Sequence, residues 1–298
     1  MPESNQLKVK KPQSTKPLCN RIAIVFDFDD TLGVDTFDKL LQCLEIEVDQ
    51  FRQQRVQPLV EQGWDKVAAR FYCLIQESHQ RPDDHKITQD YLIQIGQTFP
   101  IYDGVSGMFD RLRHIVKELN PETELEFYCI TGGIGEIVRN TPIAHSFNKI
   151  WGCEFHYCDR GEISFLKRSI SHTEKTRYLF QVARGSDSPE EDGRAFAYRD
   201  IPESELHVPL SQIIYVGDGA SDVPCFSIVN GESGIAIGVY KPDTSEKWGQ
   251  EIEVTQSQRV ANLAPADYRE NSELMQSLVL AVESLCKRIA LRQLSIGE

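Results

Sequence analysis

The chain has 298 residues, 40% of them hydrophobic and 26% charged, which gives room for one large domain or two modest ones and enough apolar side chains to bury a core. Its formal net charge of −13, from 32 basic and 45 acidic side chains, argues against broad nucleic-acid binding, because that needs basic surface to displace counterions from phosphates. No apolar run approaches the roughly 18 residues that span a bilayer, so neither nucleic acid nor membrane is an expected partner.

The opening "MPESNQLKVKKPQSTKP" carries lysines but no following apolar stretch of a secretory signal, and its composition reads as a disordered arm over residues 1–20. Eight cysteines are scattered without a C-x-x-C pair, which together with the missing signal points to a reducing cytoplasm. "CEFHYC", residues 153–158, fits no common zinc framework and is better explained as strand packing.

"IAIVF", residues 22–26, has the length and composition of a buried strand. It runs straight into Asp27, Asp29 and Asp30, and alternation lets Asp27 and Asp29 point the same way. Paired carboxylates of this kind imply a metal, a shared proton, or an acidic turn capping the next helix. Residues 36–99 hold no convincing strand. "FDKLLQCLEI", "VDQFRQQRVQPLVEQG", "WDKVAARFYCLIQES" and "ITQDYLIQIGQ" place apolar residues at helical spacing, which predicts a helical module inserted between two pieces of an α/β domain.

"GVSGMFDRLRHIVKEL" predicts a helix, and "ELEFYCITGG" a strand ending at Thr131, Gly132 and Gly133. "IGEIVRN" starts a helix that "TP" stops. "KIWGCEFHYCDRGEISF" reads as a hairpin, "HTEKTRYLFQVAR" as a helix and the acidic "GSDSPEEDGRAF" as a loop. "SQIIYVGDG" and "GIAIGVY" are strands on either side of a short helix at "SDVPCFSIV". "SELMQSLVLAVESLCKRIALRQL" keeps Leu274, Leu278, Ala281, Leu285 and Ile289 on one face of a terminal helix.

Strands alternating with helices predict a three-layer, Rossmann-like, mostly parallel sheet, with ligands bound beyond the carboxyl ends of its strands. That brings Asp27 with Asp29, Thr131 with the two glycines, and Gly217-Asp218-Gly219 to one cleft. Three carboxylates there need a compensating cation, and a few hard oxygen donors suit Mg²⁺ better than zinc or calcium. Thr131 offers a hydroxyl, the Gly132-Gly133 backbone allows close approach of an anion, and Lys175 supplies a positive charge. A carboxylate in this setting can serve as a phosphoryl acceptor, while a second acid two residues on moves the proton.

"DFDDT" at 27–31, Thr131 in "YCITGG", Lys175 in "HTEKTRYL" and "GDGASD" at 217–222 resemble, in the same order, the four motifs of the haloacid dehalogenase-like hydrolase superfamily, most closely its phosphoserine-phosphatase-like branch. The resemblance covers residues 21 to about 240. It implies a catalytic core from 21–33 and 101–298 with a helical cap inserted at 34–100. It implies Asp27 as nucleophile and metal ligand, and Asp29 as acid/base with its backbone carbonyl on Mg²⁺. Thr131, Gly132, Gly133 and Lys175 would bind phosphate, and Asp218 and Asp222 would complete the metal shell. The expected activity is Mg²⁺-dependent hydrolysis of a small phosphorylated metabolite through an aspartyl-phosphate. A phosphomutase or phosphotransferase, and a non-catalytic phospho-ligand binder, are the alternatives. Ser221 departs from the branch, which usually has asparagine there, and the stretch 184–210 is longer than a compact relative needs.

Overall fold

The structure, a computed structural model, describes residues 19–185, 205–241 and 260–296. Most of the expected N-terminal arm, and the acidic loop at 186–192, lie outside the described residues. Strand β1 (Arg21–Phe26) is buried on both faces, as its unbroken apolar run requires. It lies at the centre of a seven-stranded sheet with β2 (Glu124–Ile134), β3 (Lys149–Tyr157), β4 (Ile163–Arg168), β5 (Ile213–Gly217), β6 (Ile235–Tyr240) and β7 (Asn262–Pro265), ordered β4-β3-β2-β1-β5-β6-β7. All neighbours are parallel except β3 and β4, which form the antiparallel hairpin expected across Asp159–Glu162. The fold is therefore α/β with a mostly parallel sheet. The short strand β7 was not expected from the sequence, because four residues ending in Pro265 carry too little pattern to register.

Between β1 and the helix at Val105–Leu119 (here α6) lie α1 (Thr36–Cys43), α2 (Val48–Phe51), α3 (Gln57–Glu61), α4 (Lys66–Gln80) and α5 (Gln89–Gln97). The sequence predicts one helix over 48–63. Instead a π-helical turn at Arg52–Val56 separates α2 from α3, with the Gln57 amide donating to the Arg52 carbonyl. Pro58 stands at the start of α3 and has no amide to give, so the hydrogen-bond ladder changes step just before it. The module docks on the β3–β4 hairpin: Phe71 of α4 meets Phe155 with ring centroids 4.8 Å apart. Main-chain bonds from Gln89 N to Gly161 O (2.8 Å) and from Ile163 N to Ile87 O (2.9 Å) join the module to the hairpin turn.

Helices α7 (Gly135–Arg139), α8 (Glu174–Arg184), α9 (Val223–Gly231) and α10 (Glu273–Ile296) complete the layers. Leu274, Leu278, Ala281, Leu285 and Ile289 of α10 are buried, as its apolar face predicts. Among the described residues, no helix is long and apolar enough to cross a membrane.

Candidate active site

The carboxyl ends of β1, β2 and β5 open into one cavity of about 370 Å³. Its core wall carries Asp27, Asp29, Asp30, Thr131, Gly132, Lys175 and Asp218. Its other wall comes from the helical module, with Asp35, Asp38, Arg52, Lys66, Val67 and Arg70.

Asp27 extends β1 by one ladder bond, its amide donating to Val216 O (2.9 Å), and its Oδ1 accepts from the Phe28 amide (2.8 Å). Lys175, from the first turn of α8, is 2% exposed, so its ammonium must be paired inside the protein. It donates to Asp27 Oδ2 (2.9 Å), Asp222 Oδ1 (2.8 Å) and Ser221 Oγ (3.2 Å). Ser221 thus faces the cavity and touches the lysine. Asp222, fully buried, also accepts from the Tyr215 hydroxyl (2.8 Å). A Cβ on Gly217 would stand 2.4 Å from the Asp222 carboxyl carbon, so only glycine lets that carboxylate pack against the end of β5. Lys167, the other lysine of this region, lines a separate groove beside Glu136 and Glu154.

Asp27, Asp218 and Asp222 each bring a carboxylate oxygen within 4.8 Å of the others. Among the described residues Asp218 makes no ion pair, while Lys175 contacts the other two acids. Burial, with Lys175 opposing and Asp222 adding repulsion, raises the Asp27 carboxyl to about 6. Burial and then the Asp27 and Asp222 charges raise Asp218 well above the usual carboxylate range. A site built of oxygen donors with excess negative charge fits a divalent cation.

Asp29 lines the same cavity, as strand alternation predicts, but its side chain stands outside the carboxylate trio. It accepts from the Thr36 amide (Oδ1, 2.9 Å) and the Thr36 hydroxyl (Oδ2, 3.2 Å). As a metal ligand it is therefore left with the backbone carbonyl that the resemblance assigns, not the carboxylate. Burial raises its carboxyl well above the usual range, and the Asp35 and Asp27 charges add to this.

Strand β2 bulges between Ile130 and Ile134, which frees Thr131 and Gly132 from pairing with β3 and turns them to the cavity. Thr131 Oγ1 accepts from the Gly133 amide (2.9 Å), leaving its own hydroxyl hydrogen to donate. Gly133 itself has a different place from the one expected. Its amide is spent on Thr131, and a Cβ there would sit 2.5 Å from both Asp29 Oδ2 and Thr36 Oγ1. Glycine is needed under Asp29 rather than against an anion. Helix α7, five residues long and starting only at Gly135, is too short and too late to supply a helix N-terminus to a phosphate.

The helical wall was largely missed from sequence. Asp35 caps α1, accepting from the Phe37 (2.8 Å) and Asp38 (3.1 Å) amides, and also takes Arg52 (3.3 Å) and Arg70 (3.2 Å). Arg52 also pairs with Asp38 (2.5 Å). Burial opposes ionisation of Asp35, but Arg70 and Arg52 outweigh it and hold the carboxyl below its ordinary value. An aspartate directly before an amphipathic run was the readable signal. Arg70 lines the cavity over the Phe37 ring, whereas Tyr72 packs on Trp64 and does not line it.

No protein-family model matches the chain. A Borreliella burgdorferi protein described as uncharacterized is 26% identical over 236 residues, 71% of this chain and 79% of that one. A substrate-bound phosphoserine phosphatase aligns with a TM-score of 0.53 at 13% identity, over 87% of this chain and 97% of that one. A probable phosphoserine phosphatase from Vibrio cholerae gives 0.55 at 13% identity, over 90% and 66%. A HAD family hydrolase from Salmonella enterica serovar Typhi gives 0.52 at 14% identity, over 77% of this chain, which spans 65% of that protein. At these identities the likeness is one of architecture, and by that measure the chain has the fold of the haloacid dehalogenase-like hydrolases, in the form seen in phosphoserine phosphatases.

Proposed function

We propose that the protein is a Mg²⁺-dependent phosphatase that hydrolyses a small phosphomonoester through an aspartyl-phosphate on Asp27. One observation carries this reading: a buried lysine bridges Asp27 and Asp222 at 2.9 and 2.8 Å at the mouth of a parallel sheet, beside Asp218 and a free threonine hydroxyl. A structural ion pair has no need of the third carboxylate, and a simple anion-binding site would not be lined with acids.

In this mechanism Thr131, the Gly132 amide and Lys175 hold the phosphoryl oxygens, and Lys175 also keeps Asp27 ionised. A divalent cation held by Asp27 and Asp218, with Asp222 behind them, would neutralise phosphoryl charge when bound. An Asp27 oxygen attacks phosphorus as the ester P–O bond breaks, and Asp29 gives its proton to the departing alkoxide. Asp29 then takes a proton from water, which attacks the phosphoryl group and releases Asp27. The raised proton affinity of Asp29 suits the first of these roles, and its two bonds from Thr36 fix its direction. The helical module at 34–100 serves as the cap, shielding the reaction from bulk water and meeting the leaving group.

Asp27→Asn is the test. With Mg²⁺ the wild type should release phosphate from p-nitrophenyl phosphate, and the variant should lose this activity while keeping its circular dichroism spectrum. Survival of a tenth of the rate would assign the nucleophile elsewhere, and turnover unchanged by a chelator would remove the metal.

A further inference from the structure

Each lysine and arginine on the cavity wall has an anionic partner, with one exception among the described residues. Lys175 is held by Asp27 and Asp222, Lys241 by Asp30 (2.6 Å), Arg70 by Asp35, and Arg52 by Asp35 and Asp38. Lys66 makes no ion pair or hydrogen bond with any described residue. It is the first residue of α4, one turn from Arg70 on the same helix, and all three cap cations line the cavity. The residue is exposed at the edge of the cavity; partial burial, then Arg70 and Arg52, lower its proton affinity, with Asp35 and Asp218 acting the other way. An ammonium beside two guanidinium groups, in direct contact with no carboxylate among the described residues, is a position where an incoming anion gains and an incoming cation loses.

The acids of the same wall point the same way. Asp35 and Asp38 are tied to arginines, and Asp35 also to two backbone amides, so neither is free to receive an ammonium. A leaving group such as serine, which carries both charges, finds a counter-charge for its carboxylate alone.

We infer that the substrate is a phosphomonoester whose leaving group carries a second anionic group and no cation, read by Lys66 with Arg52 and Arg70 beside it. This rests on the phosphatase reading and adds the class of ester to it. The second anion is a carboxylate or a second phosphate, which present the same chemistry to a lysine flanked by arginines.

The experiment uses the full chain with Mg²⁺ and four esters of matched size. They are phosphoethanolamine, 2-hydroxyethyl phosphate, phosphoglycolate and ethane-1,2-diol bisphosphate, with p-nitrophenyl phosphate as a general reporter. The expected kcat/KM for one or both anionic esters exceeds that for hydroxyethyl phosphate by about tenfold or more, and phosphoethanolamine is the poorest, as one charge-assisted hydrogen bond gained or lost would give. Comparison of phosphoglycolate with the bisphosphate separates the two sources of anion. Lys66→Gln should lower the ratio of anionic to uncharged ester by about tenfold, chiefly through KM, and Lys66→Arg should restore it. Hydrolysis of p-nitrophenyl phosphate with no preference for anionic esters, or a ratio unmoved by Lys66→Gln, overturns this inference alone. No hydrolysis of any ester overturns the phosphatase reading and this inference with it.

Discussion

Replacing Lys175 with methionine removes the cation that bridges Asp27 and Asp222 at nearly constant side-chain volume. Each contact near 2.9 Å is worth roughly 5–6 kcal/mol of gross attraction at an effective dielectric of about 20. Desolvation of an ammonium that is 2% exposed, and of the two acids, takes back most of this. What remains is the cost of leaving buried carboxylates unpaired, about 3–5 kcal/mol. Urea unfolding at pH 7 in chelator should therefore show Lys175→Met less stable by about 3–5 kcal/mol. Adding Asp222→Asn should recover some of that loss, because asparagine still accepts from Tyr215 while one negative charge disappears. Mg²⁺ should stabilise the methionine variant more than the wild type, supplying the charge that the lysine no longer does. A variant within about 1 kcal/mol of wild type in chelator, or a double variant weaker than the single one, would refute the view that Lys175 compensates this trio.

Two other perturbations test neighbouring regions of the site. With Asp27 at about 6 rather than 3.8, the folded chain holds a proton through that interval that the unfolded chain has lost. Stability in chelator should thus fall as pH rises from 5 to 7, by about 1 kcal/mol from this group, and Mg²⁺ affinity should weaken below about pH 6. Urea midpoints and metal titrations at pH 5 and 7 check both, and a higher midpoint at pH 7 in chelator would contradict them. Gly133→Ala pushes a methyl against Asp29 and Thr36; turnover should drop by about a hundredfold, since misplacing a proton donor by an ångström costs about that much, and urea unfolding should show a loss of about 1–3 kcal/mol from the overpacking.

The strand-end residues were legible because each follows an apolar run that can only be a buried strand. Asp27, Thr131 and Asp218 needed nothing beyond sheet topology to share a cavity. Lys175 was legible by its position at the start of a helix. The cap wall was not, because helical periodicity identifies the buried face of α4 but says nothing of what stands opposite its polar face. The π turn before Pro58 gave no periodic signal, although Arg52 sits at its first position. Gly133 was misjudged for a related reason. Adjacent glycines look interchangeable in sequence, whereas the bulge in β2 exposes Gly132 and sets Gly133 beneath Asp29.

The main-chain bonds between Ile87–Gln89 and the turn at Gly161–Ile163 bear on how a ligand gets in. A roof hung only from its two linkers could swing wide, but this one is also stitched to the rim of the sheet and pinned by Phe71 against Phe155. Swinging it would break these main-chain bonds and pull the packed rings away from each other. A cap tied down in this way keeps Arg52, Lys66 and Arg70 across the cavity from Asp27.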